Sequence, residues 1–332
     1  MDYSSLMYIP LVVIGFVVLN QGAKFITDNA VRVSRKLGIS RFVIGILIVS
    51  TLAALPEVLV SLIALEEGAQ DIALANGLAS NVVTIAFVIG VTAMVVSIKV
   101  TREMIMRDAV FLMTVTIIAS VLLLDGSLTF FEGIALIILF VPYTMNLLLV
   151  ERVTDPKELE KSLEDATVQL ELMGQIFGKK IEIRAGPQWL VIGILWTVMG
   201  AEFVVRSTLE ITESFGLNEW LVGVTLVAIG TTLPDIAAAY HAVRQGYADL
   251  ALGEGLGANI VTVLLTLGLM GIIQPFEFDA GPVLPVLVVM NLTTFCVLLF
   301  MAKNMRISQL GGIVLVSSYF GMVLSVLLLV VL

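Results

Sequence analysis

A chain of 332 residues that is 59% hydrophobic and only 14% charged has too little polar surface for a soluble domain, where about 25% of residues are charged. Its mean hydropathy of +1.06 marks an integral membrane protein. A net charge of −9 argues against nucleic-acid binding, and a single cysteine, Cys296, excludes a disulfide framework.

Apolar runs of roughly 20 residues, the length needed to span a bilayer, follow one another along the chain. We place ten of them at about 7–31, 42–65, 71–97, 105–124, 128–150, 188–209, 219–242, 249–273, 283–301 and 308–331. The first has no basic flank before it and no small-residue cleavage site after it, so it reads as a membrane helix and not as a removable signal. The third and eighth admit a reading as short helices with broken starts. Connections are brief except for 151–187, where Asp155-Pro156 opens an amphipathic pattern of Leu159, Leu163, Ala166, Leu170 and Met173.

Basic residues alternate with the spans. Arg32, Arg35, Lys36 and Arg41 follow the first; Lys99, Arg102 and Arg107 follow the third; Arg244, Lys303 and Arg306 fall on the same side, as does the long connector. The opposite side carries Asp2, Glu66, Glu67, Asp125, Glu277 and Asp279. The positive-inside rule then puts both termini outside the cytoplasm, in a multi-pass protein of the cell membrane. The single histidine, His241, lies near the cytoplasmic end of span seven and reads as interfacial. Trp189 and Trp220 sit near span ends, where aromatic belts form.

The second span contains Leu55-Pro56-Glu57, and 178 residues later the seventh contains Leu233-Pro234-Asp235. The same shift carries Gly22-Ala23 onto Gly200-Ala201, Gly45 onto Gly223, Asp71 onto Asp249, Asn81 onto Asn259, Thr84 onto Thr262 and Gly90 onto Gly268, without a gap. With five spans per half, the halves enter the membrane from opposite sides. The expected fold is therefore an all-α membrane protein of ten transmembrane helices in two inverted five-helix repeats, residues 1–150 and 188–332, joined by a cytoplasmic connector at 151–187.

A carboxylate at membrane depth is costly unless it has a partner or a task. Proline removes the donor that would satisfy the carbonyl one turn earlier, which frees Leu52 in the first segment and Gly230 in the second. Hard cations take several oxygens, about 6–8 for Ca²⁺. Glu57, Asp235, the hydroxyls of Thr231 and Thr232, and these two carbonyls make one candidate set. Spans three and eight add Ser80, Thr84 and Thr262. Glu254, whose repeat mate is the neutral Asn76, is either a third acid of the site or a residue of the cytoplasmic mouth. Asn81 and Asn259 either cap a helix break, the reading we favour, or ligate an ion.

These stretches, LIVSTLAALPEVLVSL with LANGLASNVVT and TLVAIGTTLPDIAAAY with LGEGLGANIVT, resemble the two alpha repeats of the cation/calcium exchanger superfamily, which includes sodium/calcium exchangers and calcium/proton antiporters. The resemblance implies four central helices around an ion site, with spans one and six as gates for alternating access. It also exposes departures. Ala53-Ala54 stand where the family carries Thr-Ser, Asp235 replaces a Glu, Ala258 replaces a Ser, and Thr84 and Thr262 replace Asn or Asp. The lost oxygens weaken the case for Na⁺ more than for a divalent ion, whose charge two carboxylates balance; two protons would serve equally. The expected function is a secondary antiporter moving Ca²⁺ or another divalent cation against Na⁺ or H⁺. The alternatives are a cation channel or an exchanger of a different cation. The expected partners are inorganic cations and the lipid bilayer, with no nucleic acid and no cofactor beyond the transported ions; the oligomeric state is left open, with a monomer as one reading. No enzyme is expected: a two-carboxylate intramembrane protease would carry a Gly-x-Gly-Asp pattern, which is absent.

Overall fold

The computed structural model describes residues 7–36, 50–151, 187–244 and 246–331. The connector helix read at 151–187, residues 42–49 of the second span and the side chain of His241 lie outside what it describes. Fourteen α-helical segments account for most of these residues. They are α1 (Tyr8–Lys36), α2 (Ser50–Ala53), α3 (Leu55–Glu66), α4 (Gln70–Val83), α5 (Val91–Val95), α6 (Val110–Leu122), α7 (Phe130–Glu151), α8 (Pro187–Phe215), α9 (Glu219–Val222), α10 (Ala228–Arg244), α11 (Ala248–Val261), α12 (Leu267–Ile273), α13 (Ala280–Asn304) and α14 (Gln309–Val331). Eight helices among the described residues are long and apolar enough to cross a membrane, and the apolar helix Phe130–Met145 is shorter.

Several of these spans join two α segments through a wider π turn. Thr84–Gly90 joins α4 to α5, Gly223–Val227 joins α9 to α10, and Thr262–Thr266 joins α11 to α12. A π turn relaxes the hydrogen-bond ladder by one residue and is common at functional sites. Spans three and eight therefore do not have broken starts. Each begins as regular helix and loosens midway, at Thr84 and Thr262.

The two longest helices, α1 and α8, pack along one another. Their crossing depends on glycines: a Cβ at Gly22 would run into the backbone of Thr197, and one at Gly200 into that of Leu19. Gly15 meets Val204 and Gly193 meets Ile26 in the same way. Without water to drive helices together, such close approach of small residues is how membrane helices gain contact.

Two short antiparallel ladders cap the bundle. β1 (Ile98–Lys99) pairs with β4 (Arg306–Ile307), and β2 (Ser127–Leu128) pairs with β3 (Phe276–Glu277). The 178-residue shift carries β1 onto β3 and Leu128 onto Arg306, so it exchanges the two ladders to within one residue. One ladder brings Lys99 beside Arg306, and the other brings Ser127, next to Asp125 in its loop, beside Glu277. Trp220 is not a belt residue. It is 1% exposed, among the largest fully buried side chains, inside the main apolar core.

Candidate cation site

The first proline segment is a true break. Ala54 interrupts the helix between α2 and α3, and Pro56 falls in the first turn of α3, where a missing donor costs nothing. The second is not broken as the sequence implied. Pro234 lies inside the continuous helix α10, and the preceding loosening is displaced upstream to Gly223–Val227. The helix continues through Pro234 despite the lost bond, a tolerance seen in packed membrane helices.

Both carboxylates are buried, Glu57 at 3% exposure and Asp235 at 5%. Asp235 lies within electrostatic reach of Glu57 and of Glu254, which is also buried. Thr232 donates to Glu57 Oε1 across a long 3.5 Å and to the Ala228 carbonyl at 2.8 Å. Thr231 donates to Asn76 Oδ1 and to the Ala228 carbonyl, both at 3.2 Å. The hydroxyl protons are thus taken, and oxygen lone pairs remain for a cation.

Asn76 is a brace. Its Nδ2 donates to the Glu57 carbonyl at 3.1 Å and to Ser61 Oγ at 2.9 Å, while Ser61 donates to the Ala73 carbonyl at 3.0 Å. With the bond from Thr231, this chain ties α3, α4 and α10 together around Glu57. Sequence reasoning missed both Asn76 and Ser61 as members of the network. The available signal was their pairing in the repeat with Glu254 and Ala239, two positions where polarity changes between halves.

Asn81 and Asn259 do not cap a break, because the helices run on past them. Asn81 Nδ2 donates to the Gly77 carbonyl in its own helix, and Asn259 Nδ2 reaches the Asn81 carbonyl at 3.0 Å. Asn259 thereby touches its own repeat mate, as Asp235 and Glu57 do electrostatically.

The remaining predicted residues are distributed around this centre. Ser80, Thr84 and Thr262 are buried. The turn Thr84–Gly90 packs on α10, which carries Asp235, and the turn Thr262–Thr266 packs on α3, which carries Glu57. Leu52 is half-buried on α2; Gly230 is buried on α10. Three buried oxygens of this region, Glu57 Oε2, Ser80 Oγ and Asn81 Oδ1, have no hydrogen-bond partner among the described residues. Such atoms are costly in apolar surroundings unless something else satisfies them. Among the described residues no three His, Cys, Asp or Glu side chains converge on a single metal position. Any cation held here takes much of its shell from hydroxyls, amides and carbonyls, as hard cations do.

Comparison with known proteins identifies the family. The family described as sodium/calcium exchanger protein matches residues 7–149 and 186–328. A protein of Alkalimonas amylolytica named putative antiporter CaxA is 31% identical over 93% of this chain and 95% of its own length. Sodium/calcium exchanger MaX1 of Methanosarcina acetivorans is 26% identical over 93% and 95%. A solved structure of the sodium-calcium exchanger NCX_Mj superposes with a TM-score of 0.64, covering 96% of this chain and 99% of that one at 23% identity. A buried cluster of oxygens between two sequence repeats, in a multi-pass membrane protein whose sequence matches along both halves, places this chain in the sodium/calcium exchanger protein family.

Proposed function

We propose that the chain is a secondary antiporter that moves Ca²⁺, or another divalent cation, against Na⁺ or H⁺ by alternating access, with Glu57 and Asp235 as its central ligands. The observation that carries this reading is the burial of two carboxylates from repeat-equivalent proline segments within electrostatic reach of each other, one with an unpartnered oxygen among the described residues. Ser80, Thr84, Thr231, Thr232, Thr262, Glu254 and the carbonyls of Leu52 and Gly230 complete the proposed set. The relatives named as antiporters and sodium/calcium exchangers support the mechanism.

The same reading takes the architecture as ten spans in two inverted repeats, residues 1–150 and 188–332. The eight long helices, the shorter Phe130–Met145 and α3, at the end of the second span read from the sequence, support this count. The exchange of the two ladders under the repeat shift supports the inversion. Lys99 beside Arg306 at one ladder, and Asp125 and Glu277 at the other, support a cytoplasmic and an external end respectively, with both termini external in the cell membrane.

The test is reconstitution into sealed vesicles with radiolabelled Ca²⁺ outside and an imposed gradient of Na⁺ or, separately, of H⁺. Uptake above equilibrium driven by one gradient is expected and separates a carrier from a channel, which only dissipates gradients. Repeating the measurement with Mg²⁺ and Mn²⁺ identifies the ion. Glu57→Gln is expected to remove exchange while leaving the thermal unfolding of the detergent-solubilised protein near that of the parent. Full exchange in that variant excludes Glu57 as a ligand.

A further inference from the structure

Helix α1 presents one narrow stripe to the bundle, Val12, Phe16, Leu19 and Ala23, while Val13, Ile14 and Val17 face outward. Phe16 is 7% exposed, and the reason is its neighbour. A Cβ built on Gly230 would land on the Phe16 ring, 2.5 Å from Cε2 and closer still to Cζ and Cε1. Gly230 is the residue whose carbonyl Pro234 leaves without its helical donor, and Thr231 and Thr232 follow it directly. The ring therefore lies flat against the backbone that carries one flank of the cation site, in space that any side chain at position 230 would fill.

The other half does not repeat this contact. The shift of 178 carries Phe16 onto Ile194 in α8 and Gly230 onto Leu52 in α2. Ile194 is 49% exposed, turned away from the bundle. One of the two repeat-related positions is seated and the other is not. Helices α1 and α8 are also held to each other through close glycine contacts and through the edge-to-face pair Phe25–Trp196. A displacement that lifts Phe16 off Gly230 would carry α8 with it.

We propose that Phe16 is the seal of the cation site on its Gly230 flank, and that glycine at position 230 is required to seat it. The proposal rests on the antiporter reading above. Gly230 takes no side chain because the aromatic ring must close over it, and exchange requires the ring to leave and return. Phe16 is a positioning residue: it excludes water and ions from one side and contributes no oxygen to the cation.

The test uses the full chain in a Cys296→Ser background, carrying Phe16→Cys and Gly230→Cys and treated in vesicles with a short bifunctional thiol reagent that a reductant cleaves. Cross-linking should be efficient, cut exchange by at least about tenfold, and release it on reduction, as expected if the contact must open once per cycle. A second arm needs no cysteines. Gly230→Ala alone should slow exchange by at least about tenfold because the methyl group displaces the ring. The double variant Phe16→Ala/Gly230→Ala should recover part of the rate and show Ca²⁺ leak without a counter-gradient. Absence of a cross-link, a cross-link that leaves exchange unchanged, or a Gly230→Ala variant with full exchange overturns the proposal. If the parent protein exchanges no cation, the antiporter reading fails and takes the proposal with it; if the parent exchanges and the cross-linked protein does too, the seal alone is refuted.

Discussion

Around the candidate site the buried polar residues fall into two kinds, and the distinction is measurable. Asn76 bonds to both α3 and α10, so Asn76→Leu should remove a donor from the Glu57 carbonyl and from Ser61 Oγ and leave Thr231 only the Ala228 carbonyl. An unmet buried polar group costs about 1–3 kcal/mol, and the loss should appear as a lower unfolding temperature in detergent. Ser80 Oγ has no hydrogen bond to lose among the described residues. Ser80→Ala should leave that temperature unchanged within about 0.5 kcal/mol and instead weaken Ca²⁺ binding by titration calorimetry. A Ser80→Ala variant with parental affinity would remove Ser80 from the ligand set. The carboxylates were legible in the sequence because each follows a proline in an apolar run. The brace was not, because an asparagine in a helix does not reveal which helix it will bond across to, and Ser61 has only alanine as its mate.

Helices carry the next level of the argument. The repeat shift predicted matching elements, and the turns beginning at Thr84 and Thr262 match to the residue. It did not predict that Ala54 would break one proline segment while α10 absorbs Pro234 without a break. Proline only forbids one bond; whether the helix parts or stays straight is decided by what packs around it, which local sequence does not record. Packing also gives glycines opposite roles. Gly22→Ala and Gly200→Ala push a methyl group into the facing backbone of the α1–α8 pair and should each cost about 1–3 kcal/mol. Gly321 in α14 has nothing within 4 Å of an added Cβ, so Gly321→Ala should stabilise the helix by about 0.5–1 kcal/mol. Thermal unfolding of the three variants in one detergent checks both signs. Equal effects in all three would mean that the glycines serve helix geometry alone and not the crossing.

Across the whole molecule, many of the contacts that hold the chain together run between its halves. Each β ladder takes one strand from either side of the connector, α1 lies along α8, and the bonds Thr231–Asn76, Thr232–Glu57 and Asn259–Asn81 all cross. A chain cut within residues 152–186 and expressed as two fragments should therefore reassemble: the fragments should co-purify and restore exchange, while either alone should neither exchange nor unfold cooperatively. Independent folding of a lone fragment would contradict this. The ion pairs Arg206–Glu67 and Arg206–Glu202 also bridge or border the seam, but exposed pairs are worth about 0–1 kcal/mol and do not decide the assembly. Sharing one centre between two copies of a sequence has a further effect. Every position near the centre is present twice, and the copies differ, as Asn76 and Glu254 or Ser61 and Ala239 do, so the two need not carry the same task. Position 76 is an amide that fastens helices, while its duplicate at 254 is a buried acid within electrostatic reach of Asp235. The duplication acts as spare capacity, and it is through such division of labour that the oxygens around a common centre can be exchanged one at a time, changing the ion without dismantling the fold.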